Sequence, residues 1–309
     1  MKARTAARFG LAVLAAAMVV ALATSTRVLR APAHRAGYVH TGPLALRYVR
    51  SGSGPTVVLV HGFGESLLSW RAVFDQLARH ADVLALDLPG FGLSSKPPSG
   101  YATDSLAADV LGALTALGVR RAVLVGHSMG GAVVFAAALQ DPARVRALVL
   151  VDPALVGTPA PVSEARRSDS ARGGATPFIA EYEVLRTRFT APHDPDWLAE
   201  TDSARAYAPA DDPAYRGAVA AVLREFDFAY LTDARANAWR LPALVLWGEF
   251  DEIFPLEEGR RLAGRLQGAR FEMIPRSWHR PQVERPVQTA TAIDQFVTGL
   301  DRPSGQGTP

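Results

Sequence analysis

The chain has 309 residues, of which 49% are hydrophobic and 20% charged, a composition typical of a globular protein with a sizeable core and not of a disordered chain. It contains no cysteine, which excludes disulfides, thiol catalysis and cysteine-ligated metal sites. Residues 1–30 hold five of the 33 basic residues and none of the 30 acidic ones. The rest of the chain, with 28 basic and 30 acidic residues, therefore has a formal net charge of −2. This near-neutral charge excludes nucleic acid as a partner.

Residues 1–30 have the pattern of a targeting or anchoring segment. Three basic residues precede an uncharged stretch at residues 9–26, and the small residues at 21–23 offer a cleavage site like that of a secretory signal peptide. The uncharged stretch is also long enough to span a bilayer, so an uncleaved membrane anchor is the alternative. We therefore expect an exported or membrane-anchored protein, with membrane association through residues 9–26, and leave open whether cleavage follows Ala23.

Apolar runs alternate with helical patterns in the first half of the chain, after a short linker predicted at residues 31–37. The first run alternates apolar and polar residues like an edge strand, and the later runs are continuously apolar like buried strands. These strands are predicted at residues 44–50, 56–61, 82–90, 122–126 and 146–152. Helices are predicted between them at residues 67–79, 103–117 and 129–140, with Thr103 as an N-cap. The alternation indicates a mostly parallel sheet with helices on both faces.

The strand rhythm stops at residues 154–240 and then returns. This stretch is rich in Ala, Arg, Asp and Pro and carries scattered aromatic residues, but it has no apolar strand run. Two strands and a last helix are predicted after it, at residues 243–248, 269–275 and 282–300. We therefore predict one α/β core, residues 38–153 with 241–300, which carries a helical cap insertion at 154–240 and ends in a disordered tail at 301–309.

The stretch VLVGHSMGGAVVF at residues 123–135 places a serine where a predicted strand ends and a predicted helix begins. A strand-to-helix turn this tight strains the backbone of its central residue and leaves room only for small residues two positions before and after it. Gly126 and Gly130 occupy those positions around Ser128. The turn lifts the hydroxyl clear of the sheet and places it beside the N–H groups of the helix N-terminus. Ser128 is therefore the predicted nucleophile.

A serine nucleophile needs a base, and the base needs an acid that orients it. His279 follows the last predicted strand, so its loop should lie at the same edge of the sheet as Ser128, and His279 is the predicted base. The loop EFDEIFP follows the strand at residues 243–248, and Asp251 within it is the predicted acid. Asp152, which ends the preceding predicted strand, is the competing candidate.

The negative charge that develops on an acyl oxygen needs N–H donors. Met129 directly follows the nucleophile, and its N–H is one predicted donor. The loop HGFGES at residues 61–66 follows a predicted strand, and its two glycines allow it to bend toward the site. The N–H of Phe63 is the second predicted donor, and His61 is predicted to brace this loop. The chemistry requires no metal and no organic cofactor.

Five stretches closely resemble the α/β-hydrolase superfamily, in the order that is usual there: HGFG, DLPGFGLSSKP, GHSMGG, WGEFDEIFP and SWHRPQVERP. The resemblance spans residues 38–300 and implies the α/β-hydrolase fold, a mostly parallel eight-stranded sheet flanked by helices, with residues 154–240 as a cap that roofs the pocket. It also implies the roles of catalytic triad and oxyanion hole for the same residues, Ser128, Asp251 and His279, and Phe63 and Met129. A serine at this turn is unlike haloalkane dehalogenases and epoxide hydrolases, which carry aspartate there.

The resemblance implies a serine hydrolase of carboxylic esters, of esterase or lipase type, because GHSMGG is commoner in those members. A membrane segment before such a domain also resembles membrane-bound monoacylglycerol lipases. C–C bond hydrolases of ring-cleavage products, which tend to carry Asn where His127 stands, and cofactor-free perhydrolases use the same triad and are the alternatives. A non-catalytic binding scaffold is disfavoured because every triad member is present. The aromatic and aliphatic residues of the cap indicate a small apolar acyl or aryl ester as substrate, unless they form only the cap's own core.

Overall fold

The computed structural model describes residues 34–159, 162–163 and 212–301. The predictions made for residues 1–30, for most of the insertion at 154–240 and for nearly all of the tail at 301–309 therefore lie outside the described residues. Among the described residues, no helix combines the length and the apolar character needed to cross a membrane.

Eight strands form one sheet at the centre of the described residues. They are β1 (Arg35–Thr41), β2 (Leu44–Gly52), β3 (Thr56–Val60), β4 (Asp82–Leu86), β5 (Ala122–His127), β6 (Val145–Val151), β7 (Ala243–Gly248) and β8 (Ala269–Ile274). Their order across the sheet is β1-β2-β4-β3-β5-β6-β7-β8. Strand β2 runs antiparallel to both of its neighbours, and every other neighbouring pair is parallel. The predicted eight-stranded, mostly parallel sheet is confirmed.

Eight helices lie among the described residues, and they cover both faces of the sheet. They are α1 (Arg71–Leu77), which a 3₁₀ turn precedes, α2 (Thr103–Ala116), α3 (Met129–Gln140), α4 (Pro213–Glu225), α5 (Asp233–Ala238), α6 (Leu256–Arg265), α7 (Pro281–Glu284) and α8 (Pro286–Gly299). Helices α2 and α3 contribute Val110 and Val133 to one core cluster, and α1 and α8 contribute Phe74 and Ile293 to the other.

The sequences of the central strands are continuously apolar because these strands are buried on both faces. In β3, Val58 and Val60 belong to the first core cluster, whereas Val57 and Leu59 belong to the second. Successive side chains of a strand point to opposite faces, so each face needs its own apolar residues. The carboxyl ends of the parallel strands meet at one edge of the sheet, and the loops that follow them lie together there.

The structure corrects the predicted start of the sheet. Residues 31–37 were expected to be a linker and residues 44–50 an edge strand. Instead β1 begins at Arg35 and pairs along its whole length with β2, so β1 is the edge strand and β2 has a neighbour on each side. Only Val39 of β1 is buried, which explains why this strand lacks an apolar pattern.

Two helix ends also differ from the sequence-based expectation. The N-cap of α2 is Ala102, and Thr103, the predicted N-cap, is the first helical residue. The Thr103 hydroxyl instead accepts a hydrogen bond of 3.2 Å from the backbone N–H of Asp227. The last predicted helix is divided into α7 and α8 at Arg285, whose backbone (φ −135°, ψ 57°) leaves the helical conformation, which is disfavoured before a proline such as Pro286.

The described part of the insertion between β6 and β7 contains α4 and α5. Its aromatic side chains are all buried within the first core cluster: Tyr215, Phe226, Phe228, Tyr230 and Trp239. The ring of Tyr230 meets that of Phe135 edge to face, with 6.5 Å between centroids. These five residues therefore serve as core, the second of the two roles expected for the aromatic residues of the insertion. The other five aromatic residues of the insertion lie outside the described residues.

Candidate active site

Ser128 stands at a strained turn between β5 and α3. Its backbone has φ +49° and ψ −118°, a conformation that L-residues rarely adopt. A Cβ at Gly126 would overlap the carbonyl of Gly130, and one at Gly130 would overlap the carbonyl oxygen of His61. Both glycines are therefore required by close backbone contacts, as the spacing around the serine predicted.

The structure brings the predicted nucleophile, base and acid together at the carboxyl edge of the sheet. The Nε2 atom of His279 lies 3.1 Å from Ser128 Oγ, and its Nδ1 atom lies 2.8 Å from Asp251 Oδ2. Ser128 follows β5, Asp251 follows β7 and His279 follows β8. The hydroxyl, the imidazole and the carboxylate form one hydrogen-bonded chain, which can pass a proton from Ser128 to His279 while Asp251 stabilises the charged ring.

Asp251 is held in its loop by backbone donors. Its Oδ1 atom accepts hydrogen bonds from the N–H groups of Ile253 at 2.8 Å and Phe254 at 3.1 Å, which leaves Oδ2 for the histidine. Burial alone would raise the pKa of this carboxyl. The hydrogen bond and charge of His279 and the N–H of Phe254 outweigh burial, so the pKa lies below its ordinary value. Asp251 is therefore ionised when His279 needs a counter-charge.

Asp152, the competing candidate for the acid, lies directly behind Asp251. Its Oδ1 atom accepts a hydrogen bond of 2.9 Å from the N–H of Gly248, and no hydrogen bond joins it to His279 among the described contacts. Full burial and the neighbouring charge of Asp251 raise the pKa of Asp152 well above its ordinary value. A protonated Asp152 can donate to the Asp251 carboxylate, so the pair holds one proton between two carboxyl groups.

Among the described residues, Asp152, Asp251 and His279 also form a cluster whose ligand atoms could bind a metal ion. Ligand atoms of Asp152, Asp251 and His279 all lie within 4.8 Å of one another. Each group is already engaged, however, because Gly248 donates to Asp152, backbone N–H groups donate to Asp251, and the Nδ1 atom of His279 faces Asp251. These contacts suit a hydrogen-bonded relay better than a metal centre.

The loop after β3 approaches the nucleophile closely. A Cβ built at Gly62 would lie 3.2 Å from Ser128 Cβ and 2.7 Å from His127 Nδ1, so only glycine fits there. Phe63 follows it and packs edge to face on Phe91, with 5.9 Å between ring centroids. Met129, the other predicted donor, is the first residue of α3, and the first N–H groups of a helix have no partner within the helix. The two predicted oxyanion residues thus flank Ser128 on two sides.

His61 holds this loop through hydrogen bonds of both ring nitrogens to the backbone. Its Nδ1 atom lies 2.7 Å from the carbonyl oxygen of Gly62, and its Nε2 atom lies 3.0 Å from the N–H of Leu88. The first nitrogen must donate and the second must accept, so the ring is neutral. Burial lowers the pKa of His61 below its ordinary value, in agreement with these contacts.

Sequence reasoning missed a buried acidic residue in the same loop. Glu65 is only 4% exposed, and its carboxylate contacts His127 and Arg280, the neighbours of the nucleophile and of the base in the chain. One signal could have found it: an acidic residue within a glycine-rich turn is placed to accept the N–H of Gly62 three positions earlier. Arg280 carries no comparable signal, since an arginine in a loop is most often solvated.

Comparisons with known proteins agree with this fold. Residues 55–286 match the model of a protein family described as the alpha/beta hydrolase fold. A 2-hydroxymuconate semialdehyde hydrolase of Pseudomonas sp. (strain CF600) is 31% identical over 262 residues, which cover 81% of this chain and 89% of that protein.

Two solved structures are also similar. The crystal structure of a membrane phospholipase A, described as a bacterial virulence factor, has a TM-score of 0.70 and 28% identity over 98% of this chain and 100% of the other. A thermophilic esterase from Thermogutta terrifontis has a TM-score of 0.68 and 28% identity, over 87% of this chain and 100% of that one.

Proposed function

Because this chain belongs to the alpha/beta hydrolase family, we propose that it hydrolyses carboxylic esters through an acyl-enzyme intermediate. The single observation that carries the proposal is the hydrogen-bonded chain from Ser128 Oγ through His279 to Asp251, with distances of 3.1 Å and 2.8 Å. Ser128 is the nucleophile in this proposal, His279 the general base and Asp251 the acid. Each of the three groups has the partner that its role requires.

The proposed reaction has two halves. In the first, Ser128 Oγ bonds to the acyl carbon, His279 Nε2 takes the hydroxyl proton, and the carbonyl π electrons move to the oxygen. The N–H groups of Phe63 and Met129 stabilise this oxyanion. The C–O bond then breaks, and the leaving alkoxide takes the proton from His279. In the second half, water attacks the acyl-enzyme by the same route and releases the acid.

An apolar acyl or aryl group is the proposed substrate moiety. Support comes from the aromatic rings that surround the site: Phe63 packs on Phe91, and the ring of Phe254 lies 5.7 Å from that of His279. The similar structures named as a membrane phospholipase A and an esterase point to the same class. A further proposal, association with a membrane, concerns residues 9–26, outside the described residues.

The test is hydrolysis of p-nitrophenyl esters, from short to long acyl chains, by the protein and by its Ser128→Ala variant. We expect turnover that falls about 10⁶-fold in the variant, since the nucleophile and its base act as a unit. The chain length that gives the highest kcat/KM would define the acyl group that the site accepts. Turnover that survives Ser128→Ala would contradict the proposal.

C–C bond hydrolysis of ring-cleavage products is the second candidate. The relative named as a 2-hydroxymuconate semialdehyde hydrolase favours it, at 31% identity over 81% of this chain. The same nucleophile, base and acid can cleave a C–C bond next to a carbonyl group. A folded protein that hydrolyses a vinylogous diketone but no ester would favour this function over esterase activity.

A further inference from the structure

Two hydrogen-bond donors and one cation converge on one buried carboxylate beside the active site. The Oε2 atom of Glu65 lies 3.1 Å from the N–H of Gly62 and 3.1 Å from His127 Nδ1. Its Oε1 atom lies 2.6 Å from Arg280 Nε. We call Glu65, His127 and Arg280 the Glu65 cluster. Each member comes from a segment that carries a part of the proposed site. Glu65 belongs to the loop at residues 61–66, which we call the oxyanion loop, His127 to the turn of the nucleophile, and Arg280 to the loop of the base.

A second contact of His127 joins the cluster to the base itself. The Nε2 atom of His127 lies 2.7 Å from the backbone carbonyl oxygen of His279. A carbonyl oxygen only accepts hydrogen bonds, so Nε2 carries a proton, and the Glu65 carboxylate likewise requires a proton on Nδ1. The ring of His127 therefore donates from both nitrogens and is positively charged. His61, with one donor and one acceptor as partners, is the neutral counterpart in the same molecule.

The charges of the cluster are compatible with one another. Burial alone would raise the pKa of Glu65, but the charges of Arg280 and His127 hold it well below its ordinary value. The other titratable groups that face His127 are the neutral ring of His61 and the ring of His279, with its centroid at 5.0 Å. One carboxylate thus lies between two cations, so loss of the carboxylate removes a negative charge that faces both of them.

We propose that Glu65 is a positioning residue of the active site, which holds the loop of the base and the oxyanion loop against the turn of the nucleophile through His127 and Arg280. The reaction it serves is the proposed ester hydrolysis, and the proposal rests on that function. Glu65 touches none of the reacting atoms. Its contacts determine where the backbone of His279 and the N–H groups of the oxyanion loop lie relative to Ser128.

The first experiment compares Glu65→Gln with the protein on the p-nitrophenyl ester that it hydrolyses best. A glutamine is neutral and has one acceptor oxygen, so it cannot both accept from His127 and balance the charge of Arg280, and the loops lose their alignment. We expect kcat, counted per folded active site, to fall about 100-fold, since small misplacements of reacting groups have effects of this size. KM should change only a few-fold, about 3-fold or less, because the substrate pocket is intact.

Glu258→Gln is the matched control. Glu258 lies on α6 and forms an ion pair with Arg261 at the surface, away from the site, so its loss should leave kcat and KM unchanged. Circular dichroism and the midpoint of thermal unfolding verify that both variants are folded. A folded Glu65→Gln variant whose kcat equals that of Glu258→Gln would overturn the proposal, because a merely structural residue lowers stability and not kcat.

A second measurement is made on the native protein and uses a variant only to assign a signal. Nitrogen-15 NMR of labelled histidines in the native protein reports which ring nitrogens carry protons, and the signal of His127 is assigned by its loss in His127→Gln. From the acceptors that face them, we expect protons on Nδ1 and Nε2 of His127 and on one nitrogen of His61. A His127 ring without a proton on Nδ1 would overturn the proposal, since its contact with the Glu65 carboxylate would then be repulsive.

Failure of the esterase proposal can be told apart from failure of this one. A fluorophosphonate labels a serine that is activated by its histidine, whatever the natural substrate is. If the protein hydrolyses no ester, the labelling rate of Ser128 replaces kcat in the comparison. A labelling rate about 100-fold lower in Glu65→Gln than in Glu258→Gln supports the role of Glu65, whereas equal rates in the two variants overturn it.

Discussion

Asp152 and Asp251 lie side by side, yet folding moves their pKa values in opposite directions. The charge of His279 and the backbone donors stabilise the ionised form of Asp251, so its pKa is lowered. Asp152 is fully buried against the charge of Asp251, and its pKa is raised. The two carboxyl groups therefore have different chemical roles: one is the charged partner of the histidine, and the other is a neutral acid that can donate to it.

The two aspartates should respond differently to the same substitution. Asp251→Asn removes the charge that orients and stabilises His279, and we expect kcat/KM to fall about 10⁴-fold. Asp152→Asn keeps an N–H donor toward Asp251 and an acceptor for Gly248, so we expect kcat/KM to remain within about 3-fold of the native value. Steady-state kinetics on one ester measures both. A near-normal Asp251→Asn with an inactive Asp152→Asn would assign the acid to Asp152.

Asp152 should also affect how stability depends on pH. A carboxyl whose pKa is raised by folding stabilises the folded state below its unfolded pKa, and this contribution is lost as pH rises through the folded pKa. An asparagine does not titrate, so the Asp152→Asn variant lacks this loss of stability at higher pH. We therefore expect the thermal midpoint of Asp152→Asn, relative to the native protein, to increase as pH rises from about 4 toward about 8. A constant difference across that range would mean that Asp152 titrates normally.

At the scale of the elements, a glycine in helix α4 and a glycine in strand β5 have opposite requirements. Gly217 lies within α4, and a Cβ built there meets no atom within 4 Å. Alanine has the higher helix propensity, so we expect Gly217→Ala to raise the free energy of unfolding by about 0.5–1 kcal/mol. Urea denaturation measures the change. A destabilised Gly217→Ala variant would contradict a regular α4.

Gly126 provides the contrast. Because an alanine Cβ would overlap the carbonyl of Gly130, Gly126→Ala must displace either β5 or α3. We expect loss of ester hydrolysis together with a lower thermal midpoint, measured on the same samples as Gly217→Ala. Normal activity in a folded Gly126→Ala protein would show that the turn tolerates a Cβ.

Strands buried on both faces were predictable because burial requires continuous apolar runs. The bounds of β7 and α3 agree with the predicted ones residue for residue. The edge strand β1 was not predictable in this way, because six of its seven residues are at least partly exposed and its pairing comes from β2. Thr103 was misjudged because its hydroxyl has a partner 124 residues away, which no local pattern reveals.

The predicted nucleophile, base and acid could be located because each follows a strand end, and strand ends are visible in the sequence. Glu65 and Arg280 could not be located in the same way. Each is a charged residue in a loop, and local sequence places such residues in solvent. Only the fold, which brings the loops after β3, β5 and β8 together, makes them neighbours.

On the scale of the whole molecule, the basic excess and the uncharged stretch are both confined to residues 1–30. We expect the full chain either to fractionate with membranes or to be cut after Ala23, and a chain that begins at residue 31 to remain in the soluble fraction. Fractionation without detergent and N-terminal sequencing of the mature protein measure this. A full chain that is uncut and entirely soluble would refute the proposed targeting role.

Ser128 and His279 are 151 positions apart in the chain, with the insertion between them. At translation rates of about 5–20 residues per second, the ribosome makes the histidine roughly 8–30 s after the serine. During that interval the emerging chain has a nucleophile without a base, and it stays inactive until β7 and β8 join the sheet. Premature termination before β8 therefore yields fragments in which the proposed nucleophile lacks its base.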